Sequence, residues 1–290
     1  MLSIVRSTAK EVLSEPLTLL VLLSAQALAI LTPLMHIHQF GDIERMSRDA
    51  GFSALLMGGV IFAVYGAVHT WRREIESRTI DMALVSSVSR GEFFIGKLLG
   101  VWLATLGFLA VGLVLMMIMV NGFIIGGEIA AKSGEIAVIY GPALIMALSL
   151  WILPLMIGAF LNHYCRARFV FSVFRTAFIL AALLALPSIW FDLHGFLAYA
   201  GAWTLLMPFV LFFGALASAL AVRFRAGAVG GMVTVVFLLS LPALGNYHLP
   251  EMLKSGGTIG GAYIVSAIAW LLPALAAVIL LGIKYMRRFE

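Results

Sequence analysis

Two histidines, His36 and His38, form a His-x-His pattern, which of all the patterns in this sequence is most similar to that of a metal site. Imidazole is a good ligand for copper and zinc, and His194 and His248 would bring the number of imidazoles to four. No spacing ties together the loops that carry them, however, and histidines are common in loops at a membrane surface. We therefore expect no metal site. The single cysteine, Cys165, can form neither an internal disulfide nor a cysteine-ligated cluster.

A glycine-containing stretch, Gly91-x-x-x-x-Gly96-Lys97, matches most of a phosphate-binding P-loop. In a P-loop the residue after the lysine is a Ser or Thr that holds magnesium, but here it is Leu98. The stretch also leads into a long apolar run instead of a nucleotide-domain helix. We therefore expect no nucleotide binding and no cofactor in this chain, and we do not expect it to be an enzyme.

The apolar runs of the sequence contain almost no ionisable side chain. Charges at mid-membrane cost about 2.5–3.5 kcal/mol each, so those that remain usually mark a pathway. Only Arg175 falls inside such a run, near the end of it, where its side chain can reach the headgroups. No Asp or Glu lies deep in any run. This pattern disfavours proton-coupled transport and membrane-embedded hydrolysis, which need carboxylates, nucleophiles or metal ligands there.

Charged residues concentrate instead in residues 72–97, between the second and third apolar runs. Ser77 or Thr79 can cap a short helix there. Three of its residues share one face at i, i+3, i+4 spacing: Ile80, Ala83 and Leu84. Such a helix either fits the groove of a soluble partner or rests on lipid headgroups as an amphipathic turn. Charged residues lie on both of its flanks: Glu74, Glu76 and Arg78 before it, and Arg90, Glu92 and Lys97 after it.

The same segment contains three short patterns: Glu76-x-x-Thr79-Ile80, Ser89-Arg90-Gly91-Glu92-Phe93 and Gly96-Lys97. With the leucine-bearing stretch between them, these patterns resemble the signature of the type-2 ABC (ATP-binding cassette) transporter permeases. The resemblance is strongest over Glu74–Lys97. Arg78 and Val88 stand where that family usually has glycine and proline. The family also commonly has six spans.

The resemblance implies that residues 72–97 carry a coupling helix that contacts a separate ATP-binding subunit. The coupling residues that it implies are Glu74, Glu76, Arg78, Thr79, Ile80, Ala83, Leu84, Ser89, Arg90 and Lys97. It further implies two copies of that subunit, which bind ATP and magnesium, and a second permease chain, identical or homologous. The implied function is the transmembrane permease subunit of an ATP-driven exporter that works by alternating access.

Two other functions stay open at this point. One is a non-transporting membrane scaffold coupled to an ATPase, and the other is an ATP-independent carrier. The substrate is open as well, because apolar spans with scattered hydroxyls suit lipids, hydrophobic peptides and many small molecules alike.

The elements that must position residues 72–97 are long apolar runs. Of the 290 residues, 62% are hydrophobic and 11% are charged. A soluble domain is close to half apolar and about a quarter charged, so the composition predicts an all-α polytopic membrane protein. The net charge of +5 is not gathered into one patch, which disfavours nucleic-acid binding.

Runs of about 20 apolar residues, the length that crosses a bilayer, predict about eight transmembrane helices. They are Leu17–Met35, Phe52–Trp71, Leu98–Val120, Val138–Leu161, Phe169–Trp190, Trp203–Val222, Ala226–Leu244 and Ile259–Ile283. With the N-terminus in the cytoplasm, 15 of the 19 Lys and Arg residues fall on the cytoplasmic side, as the positive-inside rule predicts. We therefore expect a multi-pass protein of the cell membrane, such as the bacterial inner membrane, with both termini cytoplasmic.

The first 15 residues precede the first run and have a different pattern. Five apolar residues share one helical face: Leu2, Val5, Ala9, Val12 and Leu13. We predict that residues 1–15 form a helix lying along the cytoplasmic interface, with a solvated tail as the alternative. Pro16 ends this helix, and residues 16–290 form a single transmembrane permease domain.

Overall fold

The structure, a computed structural model, describes residues 1–35, 43–77, 89–133, 140–191, 193–246 and 261–286. These residues form nine helices and contain no strand. The helices are α1 (Leu2–Leu13), α2 (Pro16–Met35), α3 (Ile43–Glu76), α4 (Arg90–Ser133), α5 (Tyr140–Cys165), α6 (Phe169–Phe191), α7 (Leu193–Ala221), α8 (Ala226–Asn246) and α9 (Gly261–Met286). The predicted all-helical class is confirmed for this part of the chain.

Within the described residues, five helices contain a stretch long and apolar enough to cross a membrane. The stretches are Asp49–Glu76, Arg90–Gly122, Leu148–Cys165, Tyr199–Ala221 and Ile264–Met286. The number rises to six if α1 and the Pro16–Leu28 part of α2, which meet at a bent break, are counted as one span. These helices support a multi-pass membrane protein. The count of eight and the cytoplasmic side of both termini stay predictions.

The predicted runs and the observed helices follow each other along the chain. Each of the eight runs falls on one helix, in order from α2 to α9. The break that was expected at Pro16 is also present, since α1 ends at Leu13 and α2 begins at Pro16. Proline suits this first helical position because it has no N–H to leave unpaired there.

The chain divides into two compact units. The first unit comprises Met1–Leu13, Gly59–Leu106 and Gly201–Glu290, and the second comprises Ser14–Gly58 and Gly107–Ala200. Helices α3, α4 and α7 are each divided between the two units, with one part in the first unit and the other part in the second.

In the first unit, α1 packs closely against α3 and α4 at three glycines. A methyl group at Gly100 would lie 2.5 Å from Cβ of Thr8 and 2.9 Å from the carbonyl oxygen of Val5. A methyl group at Gly66 would lie 2.8 Å from a methyl of Val12, and one at Gly96 would lie 3.2 Å from a methyl of Ile4. Small residues allow such close approach of helices. One face of α1 is accordingly buried in protein, at Thr8, Ala9 and Val12.

Helix α9 joins the same unit through its C-terminal part. The ring of Phe94 on α4 packs directly against Gly282, where a side chain would collide with the ring carbons. Tyr285 meets Phe224 edge to face, with ring centroids 6.5 Å apart. Elsewhere in this unit the Trp102 indole N–H donates to the carbonyl of Leu211 at 3.0 Å.

In the second unit, α5 and α6 pack against each other and are joined by residues 166–168. Gly158 lies so close to Val173 that a methyl group there would approach its side chain to 2.3 Å. The Trp151 indole N–H donates to the side-chain oxygen of Gln26 on α2. Phe52 and Tyr199 stack with ring centroids 6.0 Å apart. These contacts of the second unit are largely apolar.

Candidate functional site

The structure describes five of the ten predicted coupling residues: Glu74, Glu76, Ser89, Arg90 and Lys97. The other five, Arg78, Thr79, Ile80, Ala83 and Leu84, lie outside the described residues, and so do His36 and His38. What the structure places is therefore the base of the 72–97 segment, where α3 ends at Glu76 and α4 begins at Arg90.

A buried ion pair joins the two helices at this base. Nζ of Lys97 on α4 lies 2.5 Å from Oε1 of Glu74 on α3, and the Lys97 side chain is only 4% exposed. Removing one member of a buried pair leaves the other charge uncompensated and costs about 3–5 kcal/mol. The two residues are 23 positions apart, so this pair closes the whole intervening segment into a loop.

Three aromatic rings pack together on the same parts of α3 and α4 as the ion pair. The fully buried Trp71 stacks on Phe94 with ring centroids 5.5 Å apart, and Phe93 meets Trp71 edge to face at 6.1 Å. The Lys97 ammonium lies 5.9 Å from the centre of the Phe93 ring, within the range of a cation–π contact. We refer to Trp71, Glu74, Phe93, Phe94 and Lys97 as the loop clamp. It fixes the end of α3 to the start of α4 by charge and by packing together.

Ser89 and Glu92 form a reciprocal cap at the start of α4. The Glu92 backbone N–H donates to Oγ of Ser89 at 3.2 Å, and the Ser89 backbone N–H donates to Oε2 of Glu92 at 3.0 Å. This is a capping box, in which two backbone donors that a helix leaves unpaired are satisfied. Ser89 thus has a structural role in the described part of the site. The Ser-x-x-Glu spacing is a sequence signal that identifies this role.

Glu76 and Arg90 are placed differently from the clamp. Glu76 pairs with Arg72 one turn earlier on α3, with Nε 2.6 Å from Oε1 and both side chains more than half exposed. Exposed i, i+4 pairs contribute only about 0.3–0.5 kcal/mol, so this pair can exchange for another partner at little cost. Arg90 is half-buried at the first position of α4.

A second ion pair attaches α1 to the end of α3. Nη1 of Arg73 lies 3.1 Å from Oε1 of Glu11, whose side chain is 17% exposed. Arg73 precedes Glu74 of the loop clamp, so α1 and α4 are both fastened to the last turn of α3. Neither residue was among the predicted coupling residues, because a pair 62 positions apart has no signature in the sequence.

A cleft of about 430 Å³ opens beside the last turns of α3. One wall comes from α3 and the other from the connection between α7 and α8. Its principal lining residues are Val68, Arg72, Ile75, Glu76, Phe224 and Arg225.

In the described ranges no three His, Cys, Asp or Glu side chains gather in a way that could hold a metal ion. The ionisable groups of the site pair with one another, Glu74 with Lys97 and Glu76 with Arg72. The Glu74–Lys97 pair joins the end of α3 to the start of α4, and the Arg73–Glu11 pair joins α1 to the same turn of α3.

Comparisons with protein-family models, with curated proteins and with solved structures give no match to this chain.

Proposed function

We propose that this chain is the transmembrane permease subunit of an ATP-driven ABC transporter that exports its substrate. The observation that carries the proposal is the loop clamp. When a partner subunit displaces the 72–97 segment, the displacement reaches the transmembrane helices only if both ends of the segment are held rigidly. The Lys97–Glu74 pair and the Trp71–Phe94 stack hold these two ends together. The resemblance of this segment to the type-2 permease signature supports the same function.

The proposed topology has eight spans with both termini in the cytoplasm. The eight apolar runs coincide with the helices from α2 to α9, and the Lys and Arg residues favour one side of the membrane. This topology puts the loop clamp and the 72–97 segment on the cytoplasmic side, where ATP is available.

In the proposed assembly, ATP hydrolysis takes place in a separate subunit. Two copies of an ATP-binding subunit hold ATP and magnesium and dock on the 72–97 segments of two permease chains. Closure of the ATP-binding subunits displaces these segments. Because α1 packs closely on α3 and α4 at Gly66, Gly96 and Gly100, and the clamp joins α3 to α4, the three helices move as one body, which is a rigid-body form of alternating access.

The first test is gentle purification of the full chain from its native membrane and mass spectrometry of what accompanies it. We expect a stoichiometric ATP-binding cassette subunit with the wild-type chain. The double variant Glu76→Gln/Arg90→Gln should lose that subunit while its amount in the membrane fraction stays unchanged. The matched control, Glu128→Gln/Arg168→Gln, changes the same types of charge in the second unit and should retain the ATPase.

Other results would point elsewhere. A preparation that contains no such ATPase even after crosslinking contradicts the proposal and favours an ATP-independent carrier. An ATPase that accompanies the chain without any transport after reconstitution favours the membrane scaffold. Equal retention of the ATPase by both double variants contradicts the role given to the 72–97 segment.

A further inference from the structure

The cleft beside α3 is lined by residues that, apart from Glu76, have no part in the proposed permease mechanism. Its volume of about 430 Å³ is within the range of ligand sites, which usually measure about 300–1,000 Å³. Its walls are mostly apolar, with Val68 and Ile75 on one side and Phe224 on the other. Ile75 and Phe224 are each 38% exposed, so two large apolar side chains line an open space.

The charged side chains that line the cleft give it a net positive charge. Arg72, Glu76 and Arg225 are the ionisable residues among those that line it. Glu76 already pairs with Arg72 at 2.6 Å, and Arg225 adds a further exposed guanidinium. A ligand with one negative charge matches this net charge.

The backbone adds to the same polarity. Helix α8 begins at Ala226, and the carbonyl of Arg225 accepts the first helical hydrogen bond from the Val229 N–H at 3.1 Å. Arg225 is therefore the N-cap residue, and its side chain cannot accept a hydrogen bond from the helix as Ser or Asp would. The positive end of the helix dipole faces the cleft, where Gly227 has open space in place of a side chain.

The position of the cleft indicates where its ligand comes from. It lies at the ends of two stretches that are long and apolar enough to cross a membrane, Asp49–Glu76 and Tyr199–Ala221. The ends of such stretches lie at the level of the lipid headgroups. Basic pockets between helices at this level recognise anionic lipid headgroups.

We propose that this cleft binds the phosphodiester headgroup of an anionic phospholipid from the surrounding bilayer. Arg225 and the start of α8 contact the phosphate, while the glycerol and the upper acyl chains rest on Val68, Ile75 and Phe224. Glu76 limits the affinity because it neutralises Arg72. This inference concerns the isolated chain and holds whether or not an ATPase subunit docks on the 72–97 segment.

The test is native mass spectrometry of the purified full chain, titrated with phosphatidylglycerol and, separately, with phosphatidylcholine. We expect a preference for phosphatidylglycerol. Arg225→Gln should reduce that preference about five-fold, since one arginine near an anionic surface contributes about 1 kcal/mol. Glu76→Gln should increase it, because Arg72 is then released. Arg168→Gln, which removes an exposed arginine from the short α5–α6 connection, is the matched control and should leave the preference unchanged.

Four results would overturn the proposal. The first is equal binding of the two lipids by the wild-type chain. The second is a loss in Arg225→Gln no larger than that in Arg168→Gln, with circular dichroism showing both variants folded. The third is protection from thermal unfolding by inorganic phosphate as strong as that by phosphatidylglycerol, which would indicate a site for a free anion. If Arg225→Gln instead reduced only the recovery of an ATPase partner, the cleft would belong to a protein contact.

Discussion

The connection between α3 and α4 and the connection between α5 and α6 illustrate two ways to join helices in this protein. The first is closed by side chains, through the buried Lys97–Glu74 pair and the Trp71–Phe94 stack. The second is three residues long and is closed by the backbone, with the Ala167 N–H donating to the carbonyl of Leu161 at 3.4 Å and Arg166 at a φ of 50°. Both carry arginines, but the contacts described at the first include an ion pair, whereas those described at the second are made by the backbone.

In the proposed function the first connection transmits force from a partner subunit, whereas the second only reverses the chain. The stability of a connection held by side chains is concentrated in a few residues, so a single substitution can break it. A backbone turn spreads its stability over bonds that every residue type provides. Substitutions that affect the two connections unequally therefore test whether the clamp has the importance we assign to it.

The largest effect is expected from Lys97→Met. This change removes the cation that pairs with Glu74, whose side chain is 19% exposed, and we expect a loss of about 3 kcal/mol in the free energy of unfolding, the lower end of the range for buried pairs. Reversible SDS unfolding in mixed micelles measures it. The double variant Lys97→Met/Glu74→Gln should recover part of the loss because no unpaired charge remains. In the other connection, Arg168→Met should change stability by less than about 0.5 kcal/mol. Similar losses in Lys97→Met and Arg168→Met would contradict the comparison.

A smaller effect is expected from Ser89→Ala, which removes the hydroxyl acceptor of the capping box. The loss of an N-cap of this kind costs about 1 kcal/mol. Hydrogen exchange should show faster opening of the first turn of α4. The variant Glu92→Gln keeps the reciprocal bond and should lose less. Unchanged exchange at the start of α4 in Ser89→Ala would show that the cap contributes nothing.

The smallest effect, and the only one in the stabilising direction, is expected from Arg166→Gly. A left-handed backbone is unfavourable for a residue with a Cβ, and glycine removes that cost while adding entropy to the unfolded chain. We expect a net gain of up to about 1 kcal/mol in thermal unfolding in detergent. Arg166→Ala removes the same charge but keeps the Cβ, so it should bring no gain. A gain in both variants would assign the effect to charge instead of backbone.

Much of the fold could be predicted from local composition. Long apolar runs indicated α2 to α9, and the apolar face before Pro16 indicated α1, because both signals reside in neighbouring residues. The Ser89–Glu92 cap also has a local signature, although we first assigned Ser89 to partner docking by resemblance.

The pairs that hold the candidate site could not be predicted in the same way. Glu74 and Lys97 were both expected to matter, but as separate contacts to a partner, whereas the structure pairs them with each other. Arg73 and Glu11 are 62 positions apart and meet only because α1 packs on α3. A charge in a sequence carries no information about which of many opposite charges the packing will bring near it.

The packing of α1 on α3 and α4 also bears on how the chain is made. α1 leaves the ribosome before α3, so Glu11 must wait for Arg73, 62 residues later. At about 5–20 residues per second, synthesis of that interval takes roughly 3–12 s. Gly96 and Gly100, against which Ile4 and Thr8 pack, follow later still. The face of α1 that carries Thr8, Ala9 and Val12 therefore lacks these protein contacts until the first part of α4 has been synthesised.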